Sequence, residues 1–163
     1  MTITKRDGRR ALEADHVYLE GLLTAVVAAA QSNDVVALLS VWNAFERHLL
    51  AHLDEEEMFI LPLVIGENTP QAEWLRAEHN AIRQNVGEIG LAVDLHTVRA
   101  DRIEQLATRL REHAQREQAW LYPWAEHALD EARMAHITRR LKAGWKRAGH
   151  VIRHQSDARA QGT

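Results

Sequence analysis

His52-Leu53-Asp54-Glu55-Glu56-Glu57-Met58-Phe59-Ile60-Leu61-Pro62 is the stretch that decides the fold, because its pattern occurs twice. Sixty-one residues later the chain reads His113-Ala114-Gln115-Arg116-Glu117-Gln118-Ala119-Trp120-Leu121-Tyr122-Pro123. Each copy has His, Glu four residues on, a pair of apolar or aromatic residues, and Pro ten residues after the His. Residues four apart share one face of an α-helix, so each His-x3-Glu pair can reach a common point. The preceding segments repeat as well, Ala14-Asp15-His16 resembling Ala77-Glu78-His79 at an offset of 63. The chain therefore reads as two helical hairpins of one design.

Working outward, apolar residues recur at helical spacing almost throughout. Helices are predicted over 7–31, 34–64, 69–93 and 101–128, with a shorter fifth from Asp130 to about Gly149. Ser32-Asn33-Asp34 is a polar break with N-cap chemistry, and Pro62 should bend or stop the second helix. Thr69-Pro70 opens the third helix, and Asp101 with Glu104 forms a capping-box-like start for the fourth. Four long helices with short connections alternate in direction. The expected fold is all-α, an up-down-up-down four-helix bundle with a shorter fifth C-terminal helix. One domain should span 1–150, and 151–163 form a polar tail.

Composition supports this and excludes much else. The 163 residues include only 3 Pro and 8 Gly, and no Cys, which rules out disulfides, catalytic thiols and thiolate metal sites. With 20 Lys plus Arg against 23 Asp plus Glu, the net charge of −3 gives no reason to expect a nucleic-acid or anionic-membrane partner. There is no apolar run of membrane-spanning length and no apolar signal core at the start, so the expected location is the cytoplasm. Any chemistry must come from the 10 His and the carboxylates.

Heights along the bundle test the convergence independently. At ~1.5 Å per residue, His16 lies about 16 residues below the first turn, and His52 and Glu56 about 18 to 22 below it. His79 and Glu56 are each about 11 residues from the next turn, and His113 and Glu117 are level with His79 across the last. His16, His52, Glu56, His79, His113 and Glu117 thus fall in one slab. Two carboxylates and four imidazoles buried together call for a compensating cation. Without thiolate the set suits iron, manganese or zinc more than copper(I).

With these residues in place, the chain resembles the hemerythrin-like (HHE cation-binding) family. That family's pattern is His on the first helix, His-x3-Glu on the second, His on the third and His-x3-Glu on the fourth. His16, His52 with Glu56, His79, and His113 with Glu117 match it over about residues 10–128. The resemblance implies a non-haem di-iron centre, oxo- or hydroxo-bridged, with those six residues as ligands. Oxygen-carrying members have a second His one turn from the third-helix His, where this chain has Leu75 and Arg83. They end on Asp at plus five, where this chain has Glu117 at plus four. These departures weaken the oxygen-carrier reading. They favour a protein that binds or reduces a small oxidant, hydrogen peroxide first, in a catalase-like manner. The alternative is an oxygen, nitric oxide or iron sensor without turnover. Di-iron proteins of the ferritin type use two Glu-x-x-His motifs, and only Glu13-x-x-His16 occurs here.

The remaining candidates receive plainer readings. His48, one turn before His52, is expected to be a polar residue above the site, a fifth ligand or hydrogen-bond donor being the alternatives. Asp54, Glu55 and Glu57 read as a solvated face. Tyr18 and Tyr122 read as packing residues, redox or hydrogen-bonding groups near the site being the alternative, and Phe59, Trp42, Trp74, Trp120 and Trp124 as core. His127, His136, His150 and His154 fall outside the repeat and read as surface. The basic run of Arg139, Arg140, Lys142, Lys146, Arg147 and Arg153 reads as a solvated helix face. A protein partner or homo-oligomer is left open.

Overall fold

The computed structural model describes residues 4–67 and 69–144, and among these the chain is helical with no strand. The elements are α1 (Lys5–Gln31), α2 (Val35–Phe59), α3 (Leu61–Glu67), α4 (Thr69–Asp94), α5 (Ala100–Arg116), a π-helical turn (Glu117–Leu121), α6 (Tyr122–Ala128) and a last helix, α7, over 131–144. Contacts run from α1 to α2, α2 to α4, α4 to α5 and α5 back to α1, which closes a four-helix ring. The expected bundle is present, with α7 as its fifth helix. The end of α7 near Gly149 and the tail 151–163 lie outside the described residues.

Local chemistry sets the boundaries. Thr4 caps α1 in a capping box with Asp7, which the sequence reading had not singled out. Asp34 caps α2 through Ala37 N at 2.9 Å, as expected, and Asp130 caps α7 through Arg133 N at 2.8 Å. The box expected at Asp101 and Glu104 does not form. The carboxylate of Asp101 is taken by Arg99, and α5 starts at Ala100 without a side-chain cap.

The two prolines act differently. Pro62 follows a true break: Ile60 departs from helical geometry (φ −110°, ψ −55°), and what was expected as one helix to residue 64 is α2 plus α3. Pro123 leaves the fourth helix continuous but widened. Tyr122 N–H bonds to Glu117 O, five residues back, so the turn holds one extra residue.

The apolar core is split in two. One cluster includes Leu19, Leu23, Phe45, Leu49, Val86 and Leu110; the other includes Leu12, Ile60, Leu75, Leu121, Met134 and Ile137. On every bundle helix the predicted site residues lie between a member of one cluster and a member of the other. His16 sits between Leu12 and Leu19, and His79 between Leu75 and Ile82. The polar slab therefore lies between two apolar layers. Met134, Ile137 and Leu141 of α7 are buried in the second cluster. Gly8 permits this approach, since a Cβ there would meet Met134 at 2.7 Å.

Not every expected core aromatic is buried. Trp42 is, at 1% exposure, but Trp74 stands 49% exposed with Arg116 stacked over its ring at 5.4 Å. That cation–π contact is available because Trp74 lies on the outer face of α4.

Candidate metal centre

All six predicted residues converge. His16, His52, Glu56 and Glu117 form one group of possible cation ligands, and Glu56, His79, His113 and Glu117 a second. Within each group the ligand atoms lie within 4.8 Å of one another, and every residue is buried. The two carboxylates belong to both groups. Each hairpin thus provides one shared Glu, while the imidazoles divide, His16 and His52 from the first hairpin, His79 and His113 from the second.

The imidazoles are oriented from behind. His52 Nδ1 donates to Asp15 Oδ2 at 2.8 Å, and His113 Nδ1 to Glu78 Oε2 at 2.9 Å. His79 Nδ1 donates to Glu57 Oε1 at 3.0 Å. His16 Nδ1 lies 3.2 Å from the Gln118 amide, which can turn its oxygen toward a protonated ring nitrogen. Such partners fix the tautomer and leave Nε2 facing inward with its lone pair. They also follow the repeat. Asp15 and Glu78 each precede the first His of a hairpin and hold the His of that hairpin's second helix. Glu57 and Gln118 each follow the shared Glu and reach the other hairpin.

The inner atoms are poorly served by one another. The Nε2 atoms of His16 and His52 face each other at 3.2 Å, so one can bond the other only by carrying a proton, which a shared cation would displace. Glu56 Oε2, Glu117 Oε2 and His113 Nε2 are buried without a hydrogen bond. No Lys or Arg contacts this inner ring among the described residues. Burial and the neighbouring Glu117 push Glu56 well above the usual carboxylate range. Burial acts the same way on Glu117, but His113, His16 and His79 overcome it and hold that group well below the range. The protein alone thus tolerates one charge on the pair, and a multivalent cation would permit two. Lone pairs aimed at a common space, orphaned carboxylate oxygens and a nitrogen-oxygen donor set all fit a cation-binding centre.

The rings respond to their surroundings. Burial drives the His16 imidazole below its usual value. For His52 burial is outweighed by Glu56 and Asp15, which raise it to about 9. Burial also opposes the charge of Asp15, yet the bonds from His48 and His52 hold this carboxylate well below the usual range.

Several plainer readings need correction. Tyr122 is not a packing residue. It is fully buried, donates to Glu56 Oε1 at 2.8 Å and lies 2.7 Å from His16 Nε2. On a regular helix a residue five after Glu117 points off its face; the extra residue of the π turn swings it back. Burial and Glu56 raise its hydroxyl far above its usual range, so it keeps its proton. His48 is a supporting residue, bonding Asp15 Oδ1 at 2.8 Å while Asp15 holds His52. The acidic run is not a uniform solvated face: only Asp54 is exposed, Glu55 is buried against Arg140, and Glu57 holds His79 and pairs with Arg83 at 2.7 Å. His136 is half-buried, with its ring 4.8 Å from that of Phe59. Tyr18 lies against the His48 ring, away from the cluster. His127 is exposed. His150, His154, Lys146, Arg147 and Arg153 lie outside the described residues.

Fold and centre together define a helical-bundle protein that presents buried imidazoles and carboxylates to a cation. The chain belongs to the family of the hemerythrin HHE cation binding domain, whose model matches residues 7–125 and again 71–160. No curated protein and no solved structure is matched by the chain. None of the described helices is long and apolar enough to cross a membrane.

Proposed function

We propose that the chain holds two iron ions, one between His16 and His52 and one between His79 and His113, with Glu56 and Glu117 serving both. The sharing of these two carboxylates by both ligand groups carries the reading. Imidazole and carboxylate donors without thiolate suit iron, with manganese or zinc as weaker competitors. The proposed role is to bind or reduce a small oxidant, with hydrogen peroxide as the first candidate.

A pair of iron ions would supply Lewis acidity and electrons. The chain supplies the rest. Asp15, Glu78 and Glu57 accept from Nδ1–H of their imidazoles and so aim Nε2 inward. Tyr122 holds Glu56 Oε1 with its hydroxyl proton and so sets the rotation of that carboxylate. The apolar side chains on either side lower the local dielectric, which strengthens the charge interactions between them.

Iron-loaded protein is expected to carry about two irons per chain, set by the two ligand groups. Its oxidised form should absorb in the near ultraviolet, and peroxide should release oxygen rapidly. Loaded protein that leaves peroxide untouched would overturn the turnover reading. One observation favours a second reading, reversible binding of oxygen or nitric oxide: the space beside His16, His52 and His113 has mainly apolar walls, which suit apolar diatomics better than a hydrogen-bonding peroxide. Reversible spectral change with either gas, without turnover, would identify it.

A further inference from the structure

Three of the four clustered imidazoles, His16, His52 and His113, form the polar floor of a cavity of about 360 Å³ between α1 and α5. Its walls are Leu19, Leu23, Phe45, Leu49, Leu110 and Ala114. Arg111 and Glu20 stand at its outer end, joined by contacts of 2.7 to 3.1 Å.

Size decides first. One water takes ~30 Å³ of the liquid, so hydrogen peroxide or a diatomic gas would fill only a small part of this space. Unlike the small closed voids of protein interiors, this space opens to solvent beside the exposed Val17, Gln115 and Gln118. A larger residue at Ala114 would close this one. The volume instead lies within the ~300–1,000 Å³ typical of organic-ligand sites.

Chemistry narrows the occupant. Aliphatic and aromatic walls require a mostly apolar body. The floor is the polar end of the cavity, where these imidazoles, or the cation they would hold, can meet one hydroxyl. The guanidinium at the outer end is already matched by a carboxylate, so nothing there selects a charged head group. We propose that this cavity is a binding site for a neutral organic molecule of about ten heavy atoms, with one hydroxyl or hydroperoxyl end directed at the imidazole floor. Organic hydroperoxides are the class that would bring an oxidant to this centre, and that assignment rests on the oxidant-handling function proposed above.

The probe is 2-phenylpropan-2-ol, the unreactive alcohol counterpart of an aryl hydroperoxide. Its binding is measured by calorimetry and by ligand-observed NMR on cation-loaded and on chelated protein. Saturable one-to-one binding is expected to both. Ala114→Phe should weaken it at least tenfold while cation content and melting temperature stay near wild type. Leu110→Phe, which enters from another part of the wall, should do the same if Ala114→Phe fails to fold. Absence of saturable binding to wild-type protein, or equal affinity in a folded wall variant, would overturn the proposal. The two readings fail separately. Protein that binds the alcohol but turns over no peroxide keeps the cavity and loses the oxidant function. Protein that consumes hydrogen peroxide yet ignores the alcohol does the reverse.

Discussion

The two hairpins give the same three-residue set, two His and one Glu, to two differently furnished halves. In the half built on His79 and His113, both imidazoles are held by carboxylates, and each carboxylate is neutralised from outside, Glu57 by Arg83 and Glu78 by Arg116. In the half built on His16 and His52, one carboxylate, Asp15, serves His52 and His48, and outside the six clustered residues His16 meets the Gln118 amide and the Tyr122 hydroxyl. Leu61 occupies the place in the first hairpin that Tyr122 has in the second. His79 does not line the cavity, whereas both imidazoles of the first half do. Duplication thus preserved the inward-facing groups and their orientation, while the residues just outside them diverged. We expect the His79–His113 half to hold its cation more firmly and the His16–His52 half to be the more open.

The severest way to break the comparison is to remove what the halves share. Glu117 belongs to both ligand groups, so Glu117→Gln should empty both rather than one. Elemental analysis should find fewer than about one cation per chain, against two for wild type. Loading at one hundred times the dissociation constant stabilises wild type by about 2.7 kcal/mol per site, and that gain should vanish in the variant. The chelated variant should melt below chelated wild type, because His113, His16 and His79 lose their charged partner, so the gain is read for each protein as the difference between its loaded and chelated forms. A variant that keeps one tightly bound cation and half the stabilisation would show that Glu117 serves a single half.

Much of this was legible in the chain, for physical reasons. A spacing of four residues, repeated at an offset of 61, places His52 with Glu56 and His113 with Glu117 whatever the tertiary details, and turn lengths fix their heights. The supporting residues were less visible. Glu57 and Gln118 occupy equivalent places in the repeat, but one is an acid and the other an amide, and Glu57 looked like part of an exposed run. Its role depends on Arg83 from a different helix, which local pattern cannot reveal. Tyr122 was hidden more deeply. Only a π turn brings it to the face of Glu117, and Pro123 alone does not announce one, since Pro62 in the same register gives a break instead.

A gentler intervention removes the orientation and leaves the ligands. Asp15→Asn keeps the shape but weakens the hold on His52 and offers a donor where an acceptor is needed. Loss of such a partner typically costs 10–100-fold in cation affinity. Glu78→Gln should cost less, because Glu78 is already partly neutralised by Arg116 and its side chain is 18% exposed, against 0% for Asp15. Competition against a chelator of known affinity ranks the two. Equal losses would mean that burial of the supporting carboxylate does not distinguish the halves.

The smallest expected effect sharpens the comparison most. Gln118→Glu gives His16 the kind of partner that His79 already has in Glu57. The new carboxylate would accept from Nδ1–H, aim Nε2 inward and make the ring a stronger donor. Gln118 is exposed, so the added charge costs little desolvation and the fold should be unaffected. The weaker of the two loading steps should therefore tighten by a few-fold, while the stronger stays within error. The two steps, resolved by stepwise titration with cobalt(II) and followed by absorption, should draw closer together. Tightening of the stronger step instead would place the firmer cation at His16 and His52, and would reverse the assignment of open and closed halves.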